Sequence, residues 1–272
     1  MTSKAVADIA VLMPVYNPAA ELAATLDSLR AQSVPFTLFL IDDGSRLHID
    51  YETLTQGIDV RIIRLPKNLG ISGAMNAGLK EILKVNFTYV ARIDTGDICT
   101  SERFSKQKNH LDGHPEIAIL GSAVELRHLN ESNELTNTRN IEYPASPDQC
   151  RSQLFFNSPV SHPAVMIRTT AFEKLGGYSE AYPAAEDFDL MWRASIAGFK
   201  ISNLTEMLLI KEETPGSISQ RRRRQQIFSR LRIQWANRKL GSLSSMIGLA
   251  RSITILLVPV SAMNTLKSVM RG

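Results

Sequence analysis

Short apolar runs in the first hundred residues end, again and again, in clusters of small polar and acidic residues. That repeat constrains the fold more than any other feature. Ile9-Ala10-Val11-Leu12-Met13 leads into Pro14-Val15-Tyr16-Asn17, Phe36 to Ile41 into Asp42-Asp43-Gly44-Ser45, and Phe87 to Ile93 into Asp94-Thr95-Gly96-Asp97. Val60 to Leu65 is a further run of the same kind. Helical spacing fills the gaps: Ala19 to Ala31 has apolar residues at 22, 26 and 29, and Leu69 to Leu83 carries Gly73, Ala74, Ala77 and Gly78 on one face. Continuous apolar strands alternating with helices argue for an α/β fold with a mostly parallel central sheet flanked by helices. The small face of the second helix implies close packing on that sheet.

Later segments are less regular. Ile117 to Leu120 and Ala164 to Ile167 read as strands, the polar stretch 128–150 as loops or an edge hairpin, and Ala185 to Ile196 as a helix that opens with acids. Acids favour a helix N-terminus. Ser219 to Lys239 reads as a very basic helix and 242–270 as one or two apolar helices. The expected division is a main domain over 1–215 and a basic and apolar helical C-terminal extension over 216–272.

Charge divides the chain the same way. Residues 211–272 carry twelve Lys and Arg against two acids, whereas the rest carries nineteen against twenty-five. A basic tail on an acidic body points to an anionic partner. Nothing upstream reads as a nucleic-acid module, so nucleic acid is not expected. Residues 252–266 are uncharged and mostly apolar, but fifteen helical residues span only ~22 Å against a ~30 Å hydrocarbon core, and Pro259 interrupts them. Peripheral membrane contact through 216–272 and packing on the body or on a partner subunit both remain open.

Two cysteines, Cys99 and Cys150, exclude a disulfide scaffold and a Cys-rich zinc module. They fit a reducing compartment. Met1 to Asp8 lacks the long apolar run of a secretory signal, so a cytoplasmic location is expected.

Ligands of open α/β sheets bind at the carboxyl ends of the strands. Tyr16, Asn17, Asp42, Asp43, Asp94 and Asp97 all fall there. Carboxylates suit a hard cation, a cation suits a diphosphate, and Tyr16 offers a face to a base. Asp and Asn also serve turns for backbone reasons, though turn chemistry does not demand two acids at each end. Gly70-Ile71-Ser72-Gly73 lacks the G-x-G-x-x-G spacing of a dinucleotide site. Asp94-Thr95-Gly96 matches the aspartic-protease triplet, but those enzymes need two such aspartates sharing a proton.

Taken in order, Val11 to Asn17, Leu40 to Ser45, Asn68 to Gly78, Ala91 to Asp97 and Ala185 to Leu190 resemble the family 2 glycosyltransferases over about residues 8–215. The resemblance implies a GT-A fold. It also implies transfer of a sugar from a nucleotide-sugar donor to an acceptor hydroxyl, with inversion at the anomeric carbon. Cell-surface polysaccharide or glycoconjugate synthesis would be the setting. Pro14, Tyr16 and Asp43 would hold the nucleoside, with Asn17, Asn68, Gly70 and Asn76 also on the donor side. Asp94 would sit near ribose, metal and diphosphate, and Asp187 would be the general base with Glu186 beside it. Gln220, Arg221 or Ser217 would close over the diphosphate.

One departure from the family pattern stands out. The usual Asp-X-Asp-Asp element has Gly96 at its third position here. A divalent Mn2+ or Mg2+ would then rest on Asp94 and Asp97, with His162 as an extra ligand or a donor contact, unless His162 is purely structural. The acids of 186–189 are read either as catalytic or as helix caps. A glycan or lipid-linked acceptor at the cytoplasmic face of the inner membrane would rationalise membrane contact. The competing class is a catalytically impaired relative that serves as a binding or scaffold subunit.

Overall fold

The computed structural model describes residues 7–18, 21–214, 222–238 and 243–257. Its centre is the ladder expected from the apolar runs. The strands β1 (Ile9–Val15), β2 (Thr37–Asp42), β3 (Val60–Arg64) and β4 (Tyr89–Arg92) pair in parallel in the order β3-β2-β1-β4. Every residue of β1, β2 and β4 is buried, because helices cover both faces. Alternate side chains of β1 divide the core. Ala10 and Leu12 join Phe39 and Ile41 on one face, while Ile9, Val11, Met13 and Val15 join Leu38 and Leu40 on the other. Each fully buried Leu, Ile or Val stabilises by about 1.5–3 kcal/mol.

Beyond β4 the sheet becomes mixed. Here β8 (Met166–Arg168) pairs antiparallel with both β4 and β6 (Ile117–Leu129). Next comes β9 (Lys200–Glu213), parallel to β6, and then β5 (Ile98–Cys99), antiparallel to β9. The polar stretch after 128 forms the edge hairpin of β6 with β7 (Leu135–Ile141), followed by the short helix α5 (Pro147–Gln153), opened by a Ser146 and Gln149 capping box.

Three helices define the layers that matter for the site, beside the one-turn α2 (Tyr51–Leu54). The first, α1 (Glu21–Arg30), and α4 (Arg103–Gly113) pack on one face, and α3 (Gly70–Ile82) packs on the other. The small face of α3 does what its sequence implies. A Cβ on Gly78 would lie 2.3 Å from Leu12 Cδ1 and 2.9 Å from Ile41 Cδ1, so a side chain there would push those two residues out of their present packing. Two short helices, α6 (Thr169–Leu175) and α7 (Glu186–Ile196), follow β8, and Phe188, Leu190 and Met191 of α7 enter the same core.

The basic segment forms α8 (Arg223–Ala236) and the apolar one α9 (Leu243–Leu257). One side of α8 is seated on the body: Ile233 is fully buried, Ser229 Oγ donates to the Pro183 carbonyl, and Gln234 Nε2 donates to the Phe155 carbonyl. Among the described residues no helix is long and apolar enough to cross a membrane.

Candidate active site

Parallel pairing brings the carboxyl ends of β1, β2 and β4 to one edge, and the loops there are tied to one another. Pro14 lies in an inner strand, where a proline normally breaks the ladder. It is tolerated because β1 pairs with β4 only as far as Leu12 and Arg92, and the Pro14 carbonyl accepts from Thr95 Oγ1 instead. Asn17 adopts a left-handed φ of +45°. Its N–H donates to Ser45 Oγ and its Oδ1 accepts from the Arg46 N–H, which joins the β1 loop to the β2 loop. Tyr16 beside it is 42% exposed, so its ring is open to a ligand.

Gly44 sits at φ +70°, and a Cβ there would lie 2.5 Å from the Lys67 carbonyl carbon and 2.7 Å from Asn68 N. That close approach carries the β2 turn against the loop before α3. Asp43 is buried, and its Oδ1 accepts from the Leu69 N–H at 2.6 Å. Burial pushes its carboxyl pKa up, partly offset by the N–H groups of Leu69 and Gly70. Asn68 accepts from the Gly70 N–H, and Gly70 takes φ +76°. Asn76 is committed to main chain: its amide donates to the Tyr178 carbonyl and accepts from the Tyr178 N–H, both at 2.8 Å. These two bonds fix the 177–178 turn.

The loop after β4 holds the first pair of acids. Its N–H groups are pinned from α1, where Thr25 Oγ1 accepts from Gly96 and Ser28 Oγ accepts from Cys99. Gly96 has φ +96°, a conformation that costs an L side chain roughly 1–2 kcal/mol. An acid at this position would therefore be strained in this backbone.

Arg92, the last residue of β4, is 4% exposed, and its Nη2 donates to Asp94 Oδ1 at 2.5 Å. Burial raises the Asp94 carboxyl pKa, but the Arg92 charge and hydrogen bond outweigh it and hold the group below the usual range. Asp97 has no such bond. It is buried, its Oδ2 has no hydrogen-bond partner, and burial together with the Asp94 charge raises its pKa to about 7.

Arg92 is itself gripped from behind. Arg103, fully buried on α4, donates to the Arg92 carbonyl at 2.7 Å and to the Val165 carbonyl at 3.3 Å. Lys211 on β9 adds a positive charge within electrostatic reach of both aspartates.

The second pair of acids comes from α7. Its N-cap residue, Ala185, makes no side-chain cap bond, and Glu186, Asp187 and Asp189 fall in its first turn. Asp189 binds Arg193 at 2.7 Å, and Arg193 also donates to the Leu175 and Gly177 carbonyls. This clamps the glycine turn before α7. Glu186 Oε2 is buried without a partner, and burial, with the neighbouring Asp187 charge, raises its pKa to about 7. Arg92 and Asp94 both lie within electrostatic reach of Glu186, so the acids of β4 and α7 converge on one buried guanidinium.

Asp94, Asp97 and His162 do not assemble into one metal cluster. Among the described residues no three His, Cys, Asp or Glu side chains are placed to hold an ion. His162 is buried, with Nε2 2.9 Å from the Tyr178 hydroxyl. Burial, with the charges of Arg92 and Lys211, drives its pKa well below the usual value. Neutral His162 thus pairs with the Tyr178 hydroxyl. The two aspartates still fit a cation that takes its remaining ligands from phosphate and water, as Mg2+ commonly does. The unpartnered Asp97 Oδ2 is the atom that fits it. Gln220, Arg221 and Ser217 lie outside the described residues.

Sequence reasoning did not single out Arg92, Arg103 or Lys211. A surface groove beside α5, lined by Pro144, Asp148, Gln149, Ser152, Gln153 and Phe156, contains none of the converging acids.

A mixed central sheet, parallel in its first half and flanked by helices, is the fold of the GT-A glycosyltransferases. The family model for glycosyl transferase family 2 matches residues 10–176, and the chain belongs to that family. It is 32% identical over 161 residues to the amylovoran biosynthesis glycosyltransferase AmsE of Erwinia amylovora, covering 59% of this chain and 57% of that protein. It is 26% identical over 205 residues to an Escherichia coli enzyme, UDP-Gal:alpha-D-GlcNAc-diphosphoundecaprenol beta-1,3-galactosyltransferase, covering 73% of this chain and 72% of that one.

Among solved structures, residues 1–349 of TarS from S. aureus, in complex with UDP-GlcNAc, align with a TM-score of 0.65 at 18% identity. That alignment covers 90% of this chain and 71% of that one. The mannosyltransferase PcManGT of Pyrobaculum calidifontis, in complex with GDP-Man and Mn2+, aligns with a TM-score of 0.64 at 12% identity, covering 97% and 79%.

Proposed function

We propose that the chain transfers a sugar from a nucleotide-sugar donor to an acceptor hydroxyl, with inversion, in the synthesis of a cell-surface polysaccharide or glycoconjugate. The observation that carries this reading is the meeting of Asp94, Asp97 and Glu186 around the buried Arg92, with Asp187 next to Glu186 on α7. Two separate acidic groups suit a reaction in which one place receives a proton while another manages charge on a leaving group.

Asp187, half-buried at the start of α7, takes the proton of the acceptor hydroxyl. The alcohol oxygen attacks the anomeric carbon from the face opposite the leaving group, and the nucleoside diphosphate departs with the bonding electrons. Glu186, with its pKa near 7, is partly protonated near neutral pH, which limits repulsion beside the base. Tyr16 lies against the base, and Pro14, Asn17, Asp43, Asn68 and Gly70 shape the nucleoside side of the edge. Arg92 and Lys211 place positive charge close to the departing diphosphate.

Asp94 and Asp97 are the residues that would hold Mn2+ or Mg2+. Such an ion supplies neutralisation of charge on the diphosphate. Gln220 and Arg221 belong to the same proposal as closing contacts on the diphosphate.

The diphosphoundecaprenol acceptor named for the Escherichia coli relative supports a lipid-linked acceptor for this chain too, met at the cytoplasmic face of the inner membrane. The division into a transferase domain over 1–215 and an extension over 216–272 belongs with this reading.

The test is a thermal-shift panel of UDP, GDP, dTDP and CDP, each with and without Mn2+ or Mg2+. A selective ligand at a hundredfold excess over Kd adds about 2.7 kcal/mol of stability. One responding nucleotide names the donor class, and a metal-dependent response assigns the ion to Asp94 and Asp97. A folded sample that responds to none of them overturns the proposal in favour of a binding or scaffold subunit.

A further inference from the structure

Large apolar side chains crowd the outer surface of the last two described helices. Phe228 and Trp235 are exposed on α8, and Leu243, Met246, Ile247 and Ile253 are exposed on α9. Phe228 and Trp235 stand seven residues apart, two helical turns, and share a face. Leu243, Met246, Ile247 and Ile253 fall on one stripe of α9 by the same geometry.

The opposite faces are occupied. Ile233 of α8 lies in the core. On α9, Ser245 is buried, Arg251 Nη1 donates to the Phe156 carbonyl, and a Cβ on Gly248 would meet the Phe155 carbonyl oxygen at 1.9 Å. The body thus covers one side of both helices and leaves an apolar side open.

Charge decides what fits that side. From Thr214 to Gly272 the sequence contains eleven Lys and Arg and no Asp or Glu. A second copy meeting this face across a two-fold axis would set arginines against arginines. A partner with a dense, extended negative charge complements it, and so does one that accepts an apolar stripe without demanding matched side chains. A bilayer with anionic headgroups supplies both. Arg238 stacks over the Trp235 ring at 4.1 Å, pairing a cation with the aromatic type that favours the headgroup level. At fifteen residues α9 spans about 22 Å, too short to cross and suited to lying in the plane.

We propose that the outer face of α8 and α9 docks this protein on an anionic lipid surface, with the Leu243-Met246-Ile247-Ile253 stripe at the acyl boundary and the exposed Arg222, Arg224 and Arg238 on the headgroups, while Arg230, Arg232 and Arg251 bond to the body. This surface begins upstream of the segment 252–266 that composition alone singles out. The inference is separate from the transfer reaction, since docking needs no donor or acceptor.

The experiment is co-sedimentation of the full chain with vesicles of phosphatidylcholine alone and of an equal mixture of phosphatidylcholine and phosphatidylglycerol, at low and high salt. The expected result is binding to the anionic vesicles that weakens as salt shortens the Debye length. Met246→Glu/Ile247→Glu, at two exposed positions, should lower that binding roughly tenfold or more. Nucleotide thermal shifts on the same samples report folding and donor binding independently, so failure to dock is distinguishable from failure to bind a donor.

No sedimentation of a folded sample with either vesicle overturns the proposal. Equal binding by the double variant overturns the assignment to this face. A self-association in light scattering that the double variant abolishes, without vesicle binding, replaces the lipid with a second copy.

Discussion

Asp94 and Glu186 are carboxylic acids within electrostatic reach of the same buried guanidinium, yet only Asp94 has it at hydrogen-bond distance. Burial raises the pKa of both. At Asp94 the Arg92 charge and hydrogen bond prevail and keep the group ionised. At Glu186 burial prevails, the Asp187 charge adds to it, and the group titrates near 7. The contrast extends to the backbone. The loop of Asp94 and Asp97 turns on a glycine at φ +96° and is bonded to α1, whereas α7 follows Ala184, a non-glycine residue at φ +61°, and starts without a side-chain cap. One acidic group is held charged on a rigid loop, and the other is launched from a strained turn with one member near neutrality.

Breaking the reacting half should have the largest effect. Asp187→Asn is expected to lower turnover by about 10²–10⁴-fold while the nucleotide thermal shift persists, since only the proton acceptor is lost. A variant with unchanged turnover would refute Asp187 as the base.

Removing the cation that separates the two groups comes next. Arg92→Met strands Asp94, and denaturant unfolding should show a loss of about 2–3 kcal/mol, at or below the low end for a broken buried pair because the Asp94 side chain is 35% exposed. Adding Asp94→Asn should restore part of that loss, and an additive double variant would mean the pair is not coupled.

The Glu186 contrast is read by pH. Its pKa is raised from 4.5 to about 7, so the folded state holds the proton more tightly than the unfolded state. Wild-type stability from this group is therefore full below about pH 4.5 and falls as pH rises toward 7. Glu186→Gln should stabilise by about 2–3 kcal/mol at pH 8 and by nothing at pH 4, as followed by thermal melts across that range. A pH-independent gain would remove titration as the cause.

The smallest effects concern the two turns and carry opposite signs. Gly96→Ala should cost about 1 kcal/mol, and Ala184→Gly should gain a few tenths to about 1 kcal/mol, in denaturant midpoints.

Much of the donor edge was legible because it is local. Short apolar runs, turn acids and the small face of α3 all report their burial through spacing, and Gly78 against Leu12 and Ile41 shows how directly. The later strands were harder. The fourteen residues of β9 mix Asn203, Thr205, Glu206 and Lys211 with apolar residues, and register shifts interrupt its ladder with β6, so no clean alternation survives. With two residues, β5 carries no pattern of its own.

The buried cations escaped for a different reason. In a sequence Arg92 and Arg103 look like solvent-facing residues, as charged side chains usually are. Only partners far along the chain, such as the Val165 carbonyl for Arg103, make them interior. Gly96 was visible as a departure from the family pattern, but the left-handed backbone angle it adopts is not displayed by composition.

The pair of hydrogen bonds between Asn76 and the main chain of Tyr178 joins residues 102 positions apart. Closing so long a loop comes late, because its entropic cost must be met before its contacts form. A chain made from its N-terminus contains all of β1 to β4, with Tyr16 and Asp43, well before Tyr178 exists. Asp187 follows nine residues later still. The growing chain therefore contains every residue proposed for the nucleoside side, from Pro14 to Gly70, long before it contains Asp187, the residue proposed to activate the acceptor.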